Sequence, residues 1–181
     1  MPTSTKNEYS SRVDHEYIKV IDSLYYIDQN IIRGNNTVKG NYKIDLKKLP
    51  ENRFDLDSSN WNVLHKLINE KGFPSEKIIG KSAYENASII IHHNLRLAEN
   101  QKYHALIIEA IINGEYLPAN FAFWYEQYQM RVNGQTFFTT WDQDLSESNI
   151  TRINKNRKAY FLKNLSSMEI KKGGRKMLSI W

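Results

Sequence analysis

The chain has 181 residues, of which 40% are hydrophobic and 25% charged, and its formal net charge is +5. This composition is typical of a soluble globular protein, while the absence of cysteine excludes disulfides, thiolate catalysis and zinc–thiolate sites. No stretch approaches the roughly 18 apolar residues of a membrane span, and residues 1–12 lack the apolar core of a signal peptide.

The length suits one domain with a single core. We expect a flexible N-terminus over residues 1–12, one helical domain over 13–165 and a basic tail over 166–181. The chain as it stands is expected to be soluble and cytoplasmic, and export of a longer precursor stays open. Residues 151–181 hold nine Lys/Arg against one acid, which we interpret as a solvated surface. Nucleic-acid binding is not expected, because no recognition motif accompanies the charge.

Apolar residues recur every three or four positions along most of the chain, which predicts helices. Asp14 can cap the first helix, Gly72 can end the second, and Pro118 suits the first turn of another. The six predicted helices span residues 13–32, 60–71, 81–93, 99–113, 118–129 and 147–162.

Two segments depart from this helical pattern. Residues 34–59 are rich in Asn, Lys and Asp and contain Pro50, so we expect a long irregular connection there. Asn133-Gly134 is flanked by β-forming residues and is a strong hairpin signal. The predicted fold is therefore mainly α: a single-domain bundle of five to six helices with one small β-hairpin near residues 128–140.

Polar residues lie on or beside the apolar segments, far apart in sequence. Because apolar segments fold into a core, we expect these polar residues to converge on one pocket. The groups are Asp28-Gln29 with Arg33, the pair His92-His93, the stretch from Gln135 to Thr140, and Arg157.

The same groups, with the Gly-Phe-Pro turn at 72–74, resemble an uncharacterised bacterial family catalogued as a domain of unknown function. Its members share an Asp-Gln-x-x-x-Arg element, a Gly-Trp-Pro turn, a Gln-His pair on an apolar helix, a Gln-x-Tyr-Gly-Thr-Gln stretch and a late Asn-x-x-Arg. The chain diverges at His92, at Phe73, at Glu126-Gln127 and over 138–141. The resemblance implies no activity and singles out Asp28, Gln29, Arg33, His93, Gln135, Thr140 and Arg157.

His93 is the strongest acid–base candidate, because an imidazole exchanges protons near neutral pH. If their helices pack together, Asp28 can accept the Nδ1 proton of His93, which leaves Nε2 to act on water or a hydroxyl. Arg33 and Arg157 would anchor a carboxylate or phosphate, and Gln135 would stabilise an oxyanion. The predicted ligand-binding set is completed by Gln29, His92, Phe138 and Thr140.

These residues predict a protein that binds an anionic small molecule or peptide, with hydrolase or acyl-transfer chemistry. Two other interpretations stay open. The charged residues can form a buried network that only holds helices together, and the aromatic stretch over 121–128 can face a partner protein. The alternative function is therefore a non-catalytic interaction module with a structural polar core.

No cofactor is expected from the sequence, and no metal site. Adjacent residues point about 100° apart on a helix, so His92 and His93 cannot form the zinc-binding pair of a His-Glu-x-x-His motif, which is absent.

Overall fold

The computed structural model describes residues 13–32, 52–138 and 147–165. These ranges are mainly helical and contain no strand, in agreement with the predicted helical class. A π-helical segment, Ile27–Ile32, continues the first helix, and a 3-10 turn, Leu95–Glu99, precedes the fourth. The α-helices are α1 (His15–Tyr26), α2 (Arg53–Lys71), α3 (Glu76–His93), α4 (Gln101–Ile112), α5 (Pro118–Asn133) and α6 (Glu147–Ala159).

The chain forms two compact units, Met1–Asn94 and Leu95–Trp181. Whether they fold as the one domain expected over residues 13–165 stays a prediction. In the described ranges, no helix combines the length and the apolar character that crossing a membrane requires.

In the first unit, α1 and α2 both pack against α3. The buried side chains repeat at helical spacing, with Tyr17 and Ile21 on α1, Leu64 on α2 and Ile91 on α3. Asp14 caps α1 by accepting a hydrogen bond from the Tyr17 amide at 2.9 Å. Burial of such apolar stripes, at roughly 25 cal/mol per Å² of apolar surface, is the main source of stability for packed helices.

The π-helical segment carries Asp28 as its second residue, continues α1 and packs against α2. π-helical turns are rare and occur frequently at functional sites. The segment places the Asp28 side chain in the interior, where 1% of its surface remains exposed.

Helix α3 is interrupted at Gly80, whose φ of 75° and ψ of 163° are not helical. The regular part of α3 therefore begins beyond Gly80, close to the predicted start at residue 81. It ends at His93, and Asn94 caps it with non-helical torsions.

The second unit has an aromatic core. Phe121, Trp124 and Phe138 are fully buried, and the Phe121 ring stacks on Tyr125 at 5.3 Å and on Tyr160 at 5.0 Å between centroids. Such pairs add stability beyond the area that they bury. The aromatic stretch of α5 therefore forms much of the core of this unit.

The hairpin predicted near residues 128–140 is not seen. Residues up to Asn133 belong to α5, and Gly134, with φ 61° and ψ 18°, ends that helix in the left-handed region. A left-handed Gly is common both in tight hairpins and at helix C-termini, so the Asn-Gly pair alone could not separate the two. Residues 139 and 140 lie outside the described ranges.

The irregular connection predicted over 34–59 is corrected at its end, because α2 begins at Arg53 and not at residue 60. Asn52 is the N-cap and accepts a hydrogen bond from the Asp55 amide at 2.9 Å. Leu56 is buried, and Asp57 therefore lies in the second turn of a helix. Residues 33–51 lie outside the described ranges.

Candidate functional site

Asp28 and His93 meet in the first unit. Packing of α1 and its π-helical continuation beside α3 brings Nδ1 of His93 to 2.9 Å from Oδ2 of Asp28. The carboxylate is almost fully buried, whereas 24% of the His93 side chain is exposed. This geometry has the form expected for a carboxylate that orients an imidazole.

The contact between Asp28 and His93 is close but poorly aligned. Nδ1 of His93 is enclosed by protein and has no hydrogen-bond partner, although a carboxylate oxygen lies 2.9 Å away. The oxygen is close enough to accept a hydrogen bond, so the angle at the hydrogen, and not the distance, is unfavourable. The Nε2 amide of Gln29 donates to the same Asp28 oxygen, so Gln29 helps to hold the carboxylate in place.

A second carboxylate, that of Asp57, belongs to the same cluster. One ligand atom from each of Asp28, Asp57 and His93 lies within 4.8 Å of the other two. The Asp57 side chain is 12% exposed, and Nε of Arg53 lies 3.9 Å from its Oδ2. The Asn94 side chain donates to the Asp57 carbonyl at 3.1 Å, which ties α2 to the end of α3 beside His93.

Asp57 was missed by the sequence analysis because residues 34–59 read as an irregular connection. The available signal was the helix start at Asn52, an Asn cap with an acid three residues later and Leu56 as the first buried position. That signal predicts the helix but does not indicate that Asp57 approaches Asp28, since only the packing of the π-helical segment on α2 brings the two together.

The other predicted residue of the first unit that the structure describes is His92. It is half-buried at the end of α3, about 100° around the helix from His93. Arg33 lies outside the described ranges. The structure therefore brings together Asp28, Gln29 and His93 from the predicted set.

Arg157, in the second unit, is fully buried on α6. Its Nη1 donates to the Phe138 carbonyl at 3.0 Å and its Nε to the Lys163 carbonyl at 2.5 Å. The guanidinium, predicted as an anion anchor, thus binds main-chain oxygens.

Gln135 and Phe138 occupy opposite environments in the second unit. Gln135 is exposed, and Phe138 is fully buried in the aromatic core. Thr140 lies outside the described ranges. The single pocket predicted for all of these residues would draw on both units and stays a prediction.

Glu126 has a role that the sequence analysis did not assign. It is fully buried on α5, and its Oε2 accepts hydrogen bonds from the amides of Phe137 and Phe138 at 2.8 and 2.6 Å. Arg152 and Asn156 of α6 donate to the carbonyls of Thr136 and Phe137 at 2.8 and 3.0 Å. The signal in the sequence that could have indicated the role of Glu126 was an acidic residue among apolar neighbours on α5.

Burial is the largest cause of the pKa shifts of several titratable groups in the second unit. It lowers the pKa of His104 from its ordinary value of 6.5, and Nε2 of that ring is enclosed without a hydrogen-bond partner. Desolvation also raises the pKa of Tyr125 and of Tyr160. Loss of solvation disfavours the charged form in each case, so the aromatic core favours neutral side chains.

No family model, curated protein or solved structure matches this chain. The resemblance to a bacterial family of unknown function therefore stays a prediction from its motifs. Any assignment of function is left to the chemistry of the described side chains.

Proposed function

We propose that the protein is a hydrolase or acyl-transfer enzyme for an anionic small molecule or peptide, with His93 as the general base. The observation that carries the proposal is the approach of His93 Nδ1 to within 2.9 Å of Asp28 Oδ2. A buried carboxylate beside a partly exposed imidazole favours proton transfer, because the carboxylate orients the ring and solvent can reach it.

In the proposed reaction, Nε2 of His93 accepts a proton from water while the water oxygen attacks the carbonyl or phosphoryl centre. The bond to the leaving group then breaks, and the leaving group receives the proton from His93. Nδ1 lies on the enclosed side of the ring, so solvent reaches the exposed part of His93 from other directions. The misaligned contact with Asp28 is expected to tighten when substrate binds, as is common in ligand-free sites.

The anion anchor of this proposal is Arg33, from the sequence analysis. Arg157 is a weaker choice, because its Nη1 and Nε already donate to main-chain carbonyls of the second unit. Gln29 supports the site indirectly, by donating a hydrogen bond to Asp28.

The test is turnover of mono-p-nitrophenyl succinate, p-nitrophenyl phosphate and N-succinyl-leucine p-nitroanilide, which are anionic representatives of an ester, a phosphate monoester and an amide. We expect hydrolysis of at least one of them. General base catalysis contributes about 10²–10⁴-fold, so His93→Ala should lower kcat/KM by that order and Asp28→Asn by a smaller factor.

The matched control is His15→Ala, which removes an exposed histidine from the first turn of α1. It should leave turnover unchanged, and circular dichroism should show that all three variants are folded. Absence of turnover for every substrate, or turnover that survives His93→Ala, contradicts the proposal.

The alternative, a non-catalytic interaction module with a structural polar core, is favoured by one observation. In the second unit the buried charges of Glu126 and Arg157 bind main-chain groups, as expected of scaffold residues. The aromatic stretch gives this alternative less support, because Phe121 and Trp124 are fully buried. Absence of His93-dependent turnover in all three assays would favour this alternative.

A further inference from the structure

Three side chains from three elements face one another in the first unit. Asp28 comes from the π-helical segment, Asp57 from the second turn of α2 and His93 from the last turn of α3. We propose that these three residues form a binding site for a divalent transition-metal cation.

The spacing of the cluster suits a shared cation. The three ligand atoms all lie within 4.8 Å of one another. Nitrogen and oxygen ligands sit about 2.0–2.2 Å from a zinc ion, so two ligands of one ion are at most about 4.4 Å apart. Side-chain rotations that move the ligand atoms by a few tenths of an ångström are therefore enough for all three to bind one ion.

The second observation is the state of the His93 ring. Nδ1 is enclosed by protein and has no hydrogen-bond partner, despite the nearby Asp28 oxygen. A buried polar atom without a partner is unfavourable, and native structures contain few of them. A cation would bind the Nδ1 lone pair. The misalignment of the Asp28 carboxylate would not prevent this, because the metal ion, and not the carboxylate oxygen, would lie along the direction of that lone pair.

The charges also favour a cation. Two carboxylates in proximity disfavour each other's ionised forms, and positive charge between them removes that repulsion. The Arg53 guanidinium lies 3.9 Å from Asp57 and is 60% exposed, so solvent screens its attraction.

The donor set indicates which cations fit. One imidazole nitrogen and two carboxylate oxygens suit Mn²⁺, Fe²⁺ or Zn²⁺, whereas Ca²⁺ takes six to eight oxygen ligands. Three protein ligands leave coordination positions for water, as in catalytic metal sites. The 24% exposure of the His93 side chain places the cluster close to solvent.

A cation at this position deepens the proposed function. Binding of the cation does not depend on the proposed function. Any part that the cation takes in hydrolysis rests on the proposed function. A ring that binds the cation through Nδ1 carries its proton on Nε2, so with the ion bound His93 would hold the metal instead of acting as the base. A bound divalent ion lowers the pKa of a coordinated water towards neutrality, which would supply the nucleophile at the same place.

The experiment is titration of the chelator-treated full chain with MnCl₂ and with ZnCl₂ by isothermal calorimetry. Electron paramagnetic resonance then counts bound Mn²⁺. We expect one site per chain, and at least about tenfold weaker binding in Asp57→Asn and in His93→Gln, since even loss of an outer-shell partner costs that much.

Two control variants match these changes. Asp55→Asn removes an exposed carboxylate from the same helix as Asp57, and His15→Gln removes an exposed histidine from the same unit. Both should bind as the unmodified chain does. Metal should also raise the melting temperature of the unmodified chain and of the controls, by mass action, and should raise that of Asp57→Asn by a smaller amount at the same metal concentration.

Absence of saturable binding would overturn the proposal, and so would equal affinity in Asp57→Asn, His93→Gln and the controls. The result is separable from that of the proposed function. Binding without turnover would support the cation site and contradict the hydrolase, whereas His93-dependent turnover in the metal-free chain and in Asp57→Asn would do the opposite.

Discussion

Each of the two units buries an acidic side chain, but the partners of the two acids differ. Glu126 in the second unit binds the main-chain amides of Phe137 and Phe138 at 2.8 and 2.6 Å. Asp28 in the first unit contacts other side chains, namely Gln29 and the partly exposed His93. Buried charge by itself therefore does not distinguish a scaffold residue from a site residue.

The distinction lies in what the charged group contacts. A carboxylate that satisfies main-chain donors fixes the path of a segment, and its hydrogen bonds are already made. A carboxylate beside an imidazole nitrogen that lacks a hydrogen-bond partner and beside a second carboxylate is in the kind of setting that binds a ligand, proton or cation. On this criterion the first unit contains the candidate site, and Glu126 and Arg157 of the second unit have the contacts of scaffold residues.

The largest effect should come from removing Glu126. Glu126→Ala leaves two buried amides without an acceptor, at about 1–3 kcal/mol each, so we expect the free energy of unfolding to fall by about 3 kcal/mol. Asp28→Ala should cost less, because Gln29 is only partly buried and the contact with Nδ1 of His93 is not an aligned hydrogen bond. Urea denaturation measures both variants.

The control for Glu126→Ala is Glu109→Ala, which removes an exposed glutamate from α4 in the same unit. It should change the free energy of unfolding by less than about 0.5 kcal/mol. If Asp28→Ala is as destabilising as Glu126→Ala, the two acids have similar structural roles and the comparison fails.

A second effect concerns the glycines that end a helix in each unit. Gly72 has φ 87° and ψ 174°, a region almost restricted to glycine, so Gly72→Ala should cost about 1–3 kcal/mol. Gly134, at φ 61° and ψ 18°, is in the left-handed helical region, where alanine costs about 1 kcal/mol. Thermal melts would measure the difference.

Gly134→Asn provides the check on this explanation, because asparagine adopts the left-handed region more readily than alanine does. It should be more stable than Gly134→Ala. A Gly72→Ala variant with unchanged stability would show that the turn after α2 relaxes, since among the described residues the atom nearest the added Cβ is Ile78 Cδ1, at 4.0 Å.

A smaller effect is expected at the start of the first unit. Asp14 caps α1 and pairs with Lys71 at 2.6 Å, and the hydrogen bond from Lys71 lowers the pKa of the carboxyl below 3.8. Asp14→Ala should cost about 1 kcal/mol, mostly through the lost cap. Lys71→Met keeps the cap and should cost less; equal losses would show that the ion pair dominates.

The lowered pKa of Asp14 also fixes the sign of its pH dependence. Its contribution to stability is present above pH 3.8, its ordinary pKa, and is lost as the pH falls through the lower pKa of the folded state. The same titration in Asp14→Asn should lack this component.

The smallest effect is expected from His104 in the second unit. Burial lowers its pKa from 6.5, so the folded state binds its proton less readily than the unfolded state does. The contribution of His104 to the free energy of unfolding is fully present above pH 6.5 and declines as the pH falls towards the folded-state pKa. Melting temperatures of His104→Phe should show less loss over this interval; an identical decline would assign it to other groups.

The sequence by itself determined most helices, because apolar periodicity and capping are local properties. Asp14 and Pro118 mark helix starts that the structure has at those places. The sequence also indicated that Asp28 could approach His93, on the condition that their helices pack together. That expectation needed only the packing of α1 on α3.

Only the tertiary structure decided the remaining features. Asn133-Gly134 fits a hairpin and a helix end equally well, and the burial of α5 against its own unit selected the helix end. Packing of the π-helical segment on α2 brings Asp57 to the cluster. Glu126 has a structural role because it accepts hydrogen bonds from the amides of Phe137 and Phe138. Such choices depend on contacts between residues far apart in sequence, which local propensity does not encode.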